Sequence, residues 1–164
     1  RSEYNIANPA TLIGHDDIVI FASGETGQYG EYHEPSPSYR KRGQVCAVDG
    51  ADGSEKWTFE TGLRKQSMVL GNKGILYIVG EGSCFAVDEK TGDKRWEFEN
   101  PVSVADGPRF SSKLDPAIGP DGTLYAGNQV RLYAIRTDSS GAAESPWPMV
   151  GQNPQRTNRR PANP

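Results

Sequence analysis

A dominant charge sign is what this chain lacks first. It has 18 Lys and Arg against 21 Asp and Glu, for a formal net charge of −3. A nucleic-acid footprint needs a clustered basic face. Only Arg156, Arg159 and Arg160 gather, in a tail short enough to be a solvated end, so no nucleic-acid partner is expected. Long apolar runs are also missing. None approaches the ~20 residues of a membrane-crossing helix, and no membrane span is expected. Histidine, cysteine and methionine number two each. No C-x-x-C, C-x-x-C-H or H-x₃-H spacing occurs, which excludes the usual sequence-readable zinc, dithiol and haem sites. Helix signals are nearly absent, because no run of about ten residues spaces its apolar positions at three and four.

What is present is a repeat. The pattern A-x-D-x-x-[T/D]-G-x-x-x-W runs through Ala47, Asp49, Asp52, Gly53 and Trp57. It returns at Ala86, Asp88, Thr91, Gly92 and Trp96, 39 residues later. A period near 40 residues is the signature of a stacked or radial array. Upstream of each copy lies a second pattern: a Gly followed by a short apolar run, at Gly14 with Ile18–Phe21 and at Gly71 with Ile75–Ile78. A third example, Gly119 with Thr123–Tyr125, leads into Leu132-Tyr133-Ala134-Ile135 and ends on Trp147-Pro148-Met149-Val150. There Arg136 replaces the motif aspartate, and Ala134 stands 13 residues from Trp147 instead of 10. The expectation is three units, at about 7–62, 63–101 and 112–150, with a Pro- and Arg-containing tail at 151–164.

Each unit reads as four short antiparallel strands, an all-β fold. The third-strand segments, Val45–Val48, Cys84–Val87 and Leu132–Ile135, are continuously apolar, as in a strand buried on both faces. Sheets packed between neighbouring sheets have that property. Gly53 and Gly92 sit where a hairpin closes and positive φ is useful, with Asp carboxylates ready to bond nearby backbone N–H groups. Trp57 and Trp96 begin the outer strand and bring large apolar area plus one indole N–H that needs an acceptor. Trp147 is expected in the matching place of the third unit. Cys46 and Cys84 are placed by alternation on opposite faces of successive units, where they can face each other across one interface. Packed sheets stand about 10 Å apart, beyond the ~6.8 Å Cα reach of a disulfide, so two buried thiols are the expected state.

The two motifs resemble the tryptophan-docking repeats of pyrroloquinoline-quinone-type β-propellers, and the ending Trp147-Pro148-Met149 through Arg159 is similar to a W-P-M-x-G-x-x-x-Q-x-T-x-R segment of bacterial members. The resemblance covers almost the whole chain. It implies that Ala47, Asp49, Gly53, Trp57, Ala86, Asp88, Gly92, Trp96 and Trp147 are structural, each Trp docking on the neighbouring blade. It implies three four-stranded blades that do not close a ring, since propellers use about 4–8. It also implies an extracellular, cell-surface or periplasmic setting. Quinone-dependent dehydrogenases of the superfamily hold a quinone and calcium near the ring axis, with a disulfide between adjacent cysteines beneath. This chain has no Cys-Cys pair, and no cofactor is expected.

Other candidate chemistry is weaker. Ser38–Lys41 fits S-x-x-K and Lys90-Thr91-Gly92 fits K-T-G, but the first lies in a Pro/Tyr-rich loop and no S-D-N exists. Asp49, Asp52 and Glu55 lack the calcium-loop spacing and read as turn caps; no metal site is expected. His15 reads as an exposed turn residue. The segment 26–42 interrupts the repeat, and long loops on a rigid scaffold carry function. Its Tyr29, Tyr32, His33, Tyr39 and Arg40 form the candidate binding loop, suited to a protein, a second subunit or a glycan. The functional expectation is a non-catalytic scaffold that binds protein or self-associates into a dimer or filament. A dehydrogenase fragment and a carbohydrate-binding module are the alternatives.

Overall fold

The structure is a computed structural model that describes residues 11–23, 43–62, 66–80, 83–99, 115–127 and 132–151. Three antiparallel sheets are stacked. The first has the order β1 (Thr11–Ile13), β2 (Ile18–Ser23), β3 (Gln44–Asp49), β4 (Glu55–Glu60). The second repeats it with β5 (Gln66–Gly71), β6 (Ile75–Gly80), β7 (Ser83–Asp88) and β8 (Lys94–Glu99). The third contains β9 (Ala117–Ile118), β10 (Thr123–Gly127) and β11 (Leu132–Arg136). There is no α-helix among the described residues. The all-β, unclosed architecture is the one the repeat predicts. The third sheet differs, with three strands among the described residues instead of four.

The repeat reaches down to register. Ala47 pairs with Trp57 and Ala86 with Trp96, and a bulge follows each alanine. Side chains alternate between faces along each strand. One core therefore lies between the first and second sheets, built from Leu12, Ile20, Val45, Ala47 and Trp57 against Met68, Leu70, Ile78 and Val87. A second lies between the second and third sheets, with Val69, Tyr77, Cys84 and Ala86 against Ile118, Leu124 and Ala126. Most of the apolar residues named here are fully buried. Each buried Val, Leu, Ile or Met among them adds about 1.5–3 kcal/mol of transfer free energy.

The middle sheet meets a neighbour on both faces, and β7 is apolar from Cys84 to Val87 for that reason. The third sheet departs from the expectation for its apolar run. Leu132 is 71% exposed and Tyr125 40%, and Ala117 and Ala134 are exposed beside Tyr125 in register. An apolar run alone does not reveal whether a second neighbour is there to cover it.

The two cysteines are free and buried, but they do not share an interface. Cys84 faces the third sheet. Cys46 alternates with Val45 and Ala47, which face the second sheet, and so points the other way. Burial pushes the Cys84 thiol up to about 12, and burial also raises that of Cys46. The thiolate is the reactive form. Iodoacetamide near pH 8 is therefore expected to leave Cys84 unmodified in the folded chain and to label it once urea unfolds the protein. Mass spectrometry of the peptides reads the result, and rapid labelling of folded Cys84 would contradict this burial.

Candidate functional site

The repeated turn is the first element of the site. Asp49 Oδ1 accepts from the Ala51 N–H at 2.9 Å, and Asp88 Oδ1 accepts from Lys90 and Thr91 at 2.9 and 3.1 Å. Gly53 and Gly92 donate back to the Asp49 and Asp88 carbonyls with φ of 75° and 77°, a left-handed conformation that glycine adopts without a Cβ clash. The bulge after each alanine inserts one extra residue before the tryptophan. It is a cation both times. Lys56 Nζ lies 2.8 Å from Asp49 Oδ2 and an Arg95 guanidinium nitrogen 2.7 Å from Asp88 Oδ2. Those cations hold the Asp49 and Asp88 carboxyls below the usual carboxylate range. The seven-residue spacing of Asp and cation was legible in the sequence and marks this pair.

Trp57 spans from the first sheet to the second. Its indole Nε1–H donates to the Glu89 carbonyl at 2.8 Å in a buried setting. Its ring covers Gly92 so closely that a Cβ there would stand 2.8 Å from Trp57 Cγ and Cδ2. Two residues on, Phe59 meets Phe85 edge-on at 5.5 Å. Trp96 and Phe98 occupy the same places one sheet later. Trp96 lies 5.9 Å from Tyr77, and Phe98 packs edge-on against Tyr133 at 6.3 Å.

Beneath Trp57 sits a polar lock that the sequence did not reveal. Glu89 is fully buried. Its Oε1 accepts from the His15 backbone N–H at 2.6 Å and its Oε2 lies 2.7 Å from His15 Nδ1. Its backbone N–H is also used, donating to the Gly74 carbonyl. A β-carbon on Gly14 would overlap Glu89 Oε1, so glycine there admits the carboxylate. Outside this pair, Lys90 Nζ meets Asp16 Oδ2 at 2.8 Å, and the Lys90 hydrogen bond lowers the Asp16 carboxyl. Asp16 and Asp17 hold φ of 53° and 55°, a region that Asp tolerates better than most residues. His15 is thus an interface residue, partly shielded from solvent, where the sequence alone suggested a simple exposed turn. A Glu in a Gly/Lys/Thr turn gives no sign that a neighbouring sheet will bury it.

Trp147 is not found in the third sheet. It forms an antiparallel bridge with Ile13 of β1, and Met149 forms one with Val69 of β5. The chain after β11 therefore leaves its own sheet and runs along the inner edges of the other two. Arg136 in place of the motif aspartate explains part of this, because the side-chain cap that starts the hairpin to a fourth strand is lost. Thr137 instead donates through both its N–H and its Oγ1 to the Gly122 carbonyl. The candidate binding loop, with Tyr29, Tyr32, His33, Tyr39 and Arg40, lies outside the described residues, as does the tail beyond Gly151.

The described residues contain no group of three or more His, Cys, Asp or Glu able to hold a metal ion. No described helix is long and apolar enough to cross a membrane. The converging edges of β1 and β5, where a quinone near a propeller axis would be sought, are hydrogen-bonded to the segment carrying Trp147 and Pro148. With no adjacent cysteines in the sequence, the described residues do not fit a quinone with calcium.

Three stacked antiparallel sheets with a repeated Asp–Gly turn and a forward-reaching Trp57 define a tandem-repeat β protein, an unclosed section of propeller-type blades. The chain belongs to the PQQ-repeat family described as outer membrane protein assembly factor BamB, which matches residues 36–157. It is also similar to lupanine 17-hydroxylase [cytochrome c] of a Pseudomonas species, 29% identical over 106 residues. That match takes in 61% of this chain and 15% of the relative, so the chain spans a small fraction of the length of the curated relative it matches.

Proposed function

We propose that this chain is a non-catalytic scaffold section that binds protein through the open face of its third sheet, in the periplasm or at the cell surface. The carrying observation is that face. Tyr125 stands in register with Ala134, as Tyr77 does with Ala86 and Ile20 with Ala47. In the first and second sheets those positions are buried against the next sheet, whereas here Tyr125 and Leu132 face solvent. Exposed apolar patches of this kind mark interaction surfaces. Strand edges offer a partner less. The outer strands β4 and β8 present exposed Glu55, Lys56, Glu60, Lys94, Arg95, Glu97 and Glu99, charges that discourage edge pairing. The family's description as an outer membrane assembly factor supports the setting.

The test is the mass of the native particle by light scattering, alone and with an envelope extract from the source cells. Tyr125→Lys together with Leu132→Lys is expected to abolish any dimer or captured partner while leaving the unfolding midpoint nearly unchanged, as befits exposed positions. A double variant that associates like the parent would remove the third-sheet face from the proposal.

A second reading is a section of a quinone-dependent dehydrogenase, favoured by the likeness to a cytochrome c-linked hydroxylase. Quinone-dependent oxidation of an alcohol by a longer parent chain, lost when these repeats are removed, would establish it.

A further inference from the structure

The segment from Ser139 to Met149 is set into a slot through isolated antiparallel bridges at Ala142, Trp147 and Met149, with a bend at 144–146 between them. At one end, Asn72 N–H donates to the Gly141 carbonyl at 3.0 Å, and Ala143 N–H donates to the Leu70 carbonyl at 2.8 Å. At the other, Ile13 and Trp147 exchange both backbone hydrogen bonds, at 2.9 and 3.2 Å, as in the hydrogen-bonded pair of an antiparallel ladder. The next carbonyl, that of Pro148, turns the opposite way and accepts from Leu70 N–H at 2.8 Å. Consecutive carbonyls thus serve two different sheets. Proline suits this place because it has no N–H to leave unpaired.

Side chains fix the register of the inserted segment. Asn72 bonds Ser140 through both its amide nitrogen and its oxygen, at 2.9 and 3.0 Å. Tyr77 Oη and Ser139 Oγ lie 2.8 Å apart and are buried. Ala143 enters the core between the first and second sheets, and Met149 the core between the second and third. The backbone pairing of the segment runs to β1 and β5 and not to its own third sheet, so its order depends on the two sheets that receive it.

We propose that the converging edges of β1 and β5 form a peptide-receiving site, that the chain's own Ser139–Met149 is its resident occupant, and that this segment stands where a quinone would otherwise be sought. The recognised chemistry is a peptide that pairs at its two ends, with a small residue at the Ala143 place, a bend, and then Trp-Pro-Met. Backbone hydrogen bonds supply affinity and alternate side chains supply selection, as in strand addition generally.

Amide hydrogen exchange on the intact chain is the test. Ile13, Leu70 and Ala143 are expected to be protected as strongly as Leu76 and Val87 in the sheet interior. Ala143→Asp places a charge in the first core and is expected to release the segment, so that Ile13 and Leu70 lose protection while β6 and β7 keep theirs. A synthetic peptide of residues 137–151, added to that variant, is expected to restore the protection. Should Ala143→Asp fail to fold, Asn72→Ala serves instead. It removes two side-chain bonds and is expected to speed exchange at Ala143 about tenfold or more. A large excess of pyrroloquinoline quinone with calcium is expected to leave exchange at these amides of the intact chain unchanged. Ile13 and Leu70 exchanging as fast as in an unfolded peptide would overturn the proposal. So would a quinone that binds the intact chain and releases the same amides.

Discussion

Trp57→Ala is expected to lower the unfolding free energy by about 3–5 kcal/mol, the range for truncating a large buried aromatic. Three losses combine. The indole leaves the core between the first and second sheets, where Trp57 is 7% exposed. The Glu89 carbonyl loses its buried donor. The ring no longer covers Gly92. Trp57→Phe retains most of the apolar area and should isolate the hydrogen bond, at about 1 kcal/mol. Trp96→Ala should cost less than Trp57→Ala, because Trp96 is only partly buried. Urea titration followed by circular dichroism gives all three values. A Trp57→Ala protein as stable as a Trp96→Ala protein would show that the forward contact between the first two sheets is not a main source of their cohesion.

The second large effect is at Glu89. Removing one partner of a buried ionic or hydrogen-bonded pair costs about 3–5 kcal/mol, because the remaining group is left uncompensated. Glu89→Ala strips the acceptor from both the His15 N–H and its ring nitrogen. The His15 side chain is 34% exposed, and water reaching it should bring the loss to the lower end of that range. Glu89→Gln keeps the shape and one acceptor and should cost clearly less. A double-mutant cycle with His15→Ala isolates the coupling. A coupling energy near zero would mean that His15 and Glu89 act independently and that the interface rests on apolar packing alone.

Much of this architecture can be read from the sequence because it is stated twice. Two copies of one spacing make the Asp caps, the positive-φ glycines and the Ala–Trp register predictable, since each needs a particular residue type at a fixed distance. The third unit was legible only as far as Ile135. Trp147-Pro148 stands near the expected distance from Ala134 and invites assignment to a fourth strand. The ladder it joins is made by backbone groups, however, and those carry no sequence signature. Arg136 and the longer spacing were the only warnings. The His15–Glu89 lock was hidden for a different reason. A carboxylate in a turn looks solvated until the neighbouring sheet is placed over it. The exposed face of the third sheet was also invisible, because burial belongs to the pair of surfaces and the sequence describes one of them.

Gly53 and Gly92 occupy equivalent turns with nearly the same φ, yet their surroundings differ. Trp57 lies against Gly92, whereas among the described residues no atom beyond its chain neighbours comes within 4 Å of where a Cβ on Gly53 would stand. The array therefore has a direction. The Trp57 indole is handed forward, from the first sheet to the sheet that follows it in the chain. Order in space copies order along the polypeptide through this one-way contact. Exchanging the first two sheets would leave every strand intact and this handover broken.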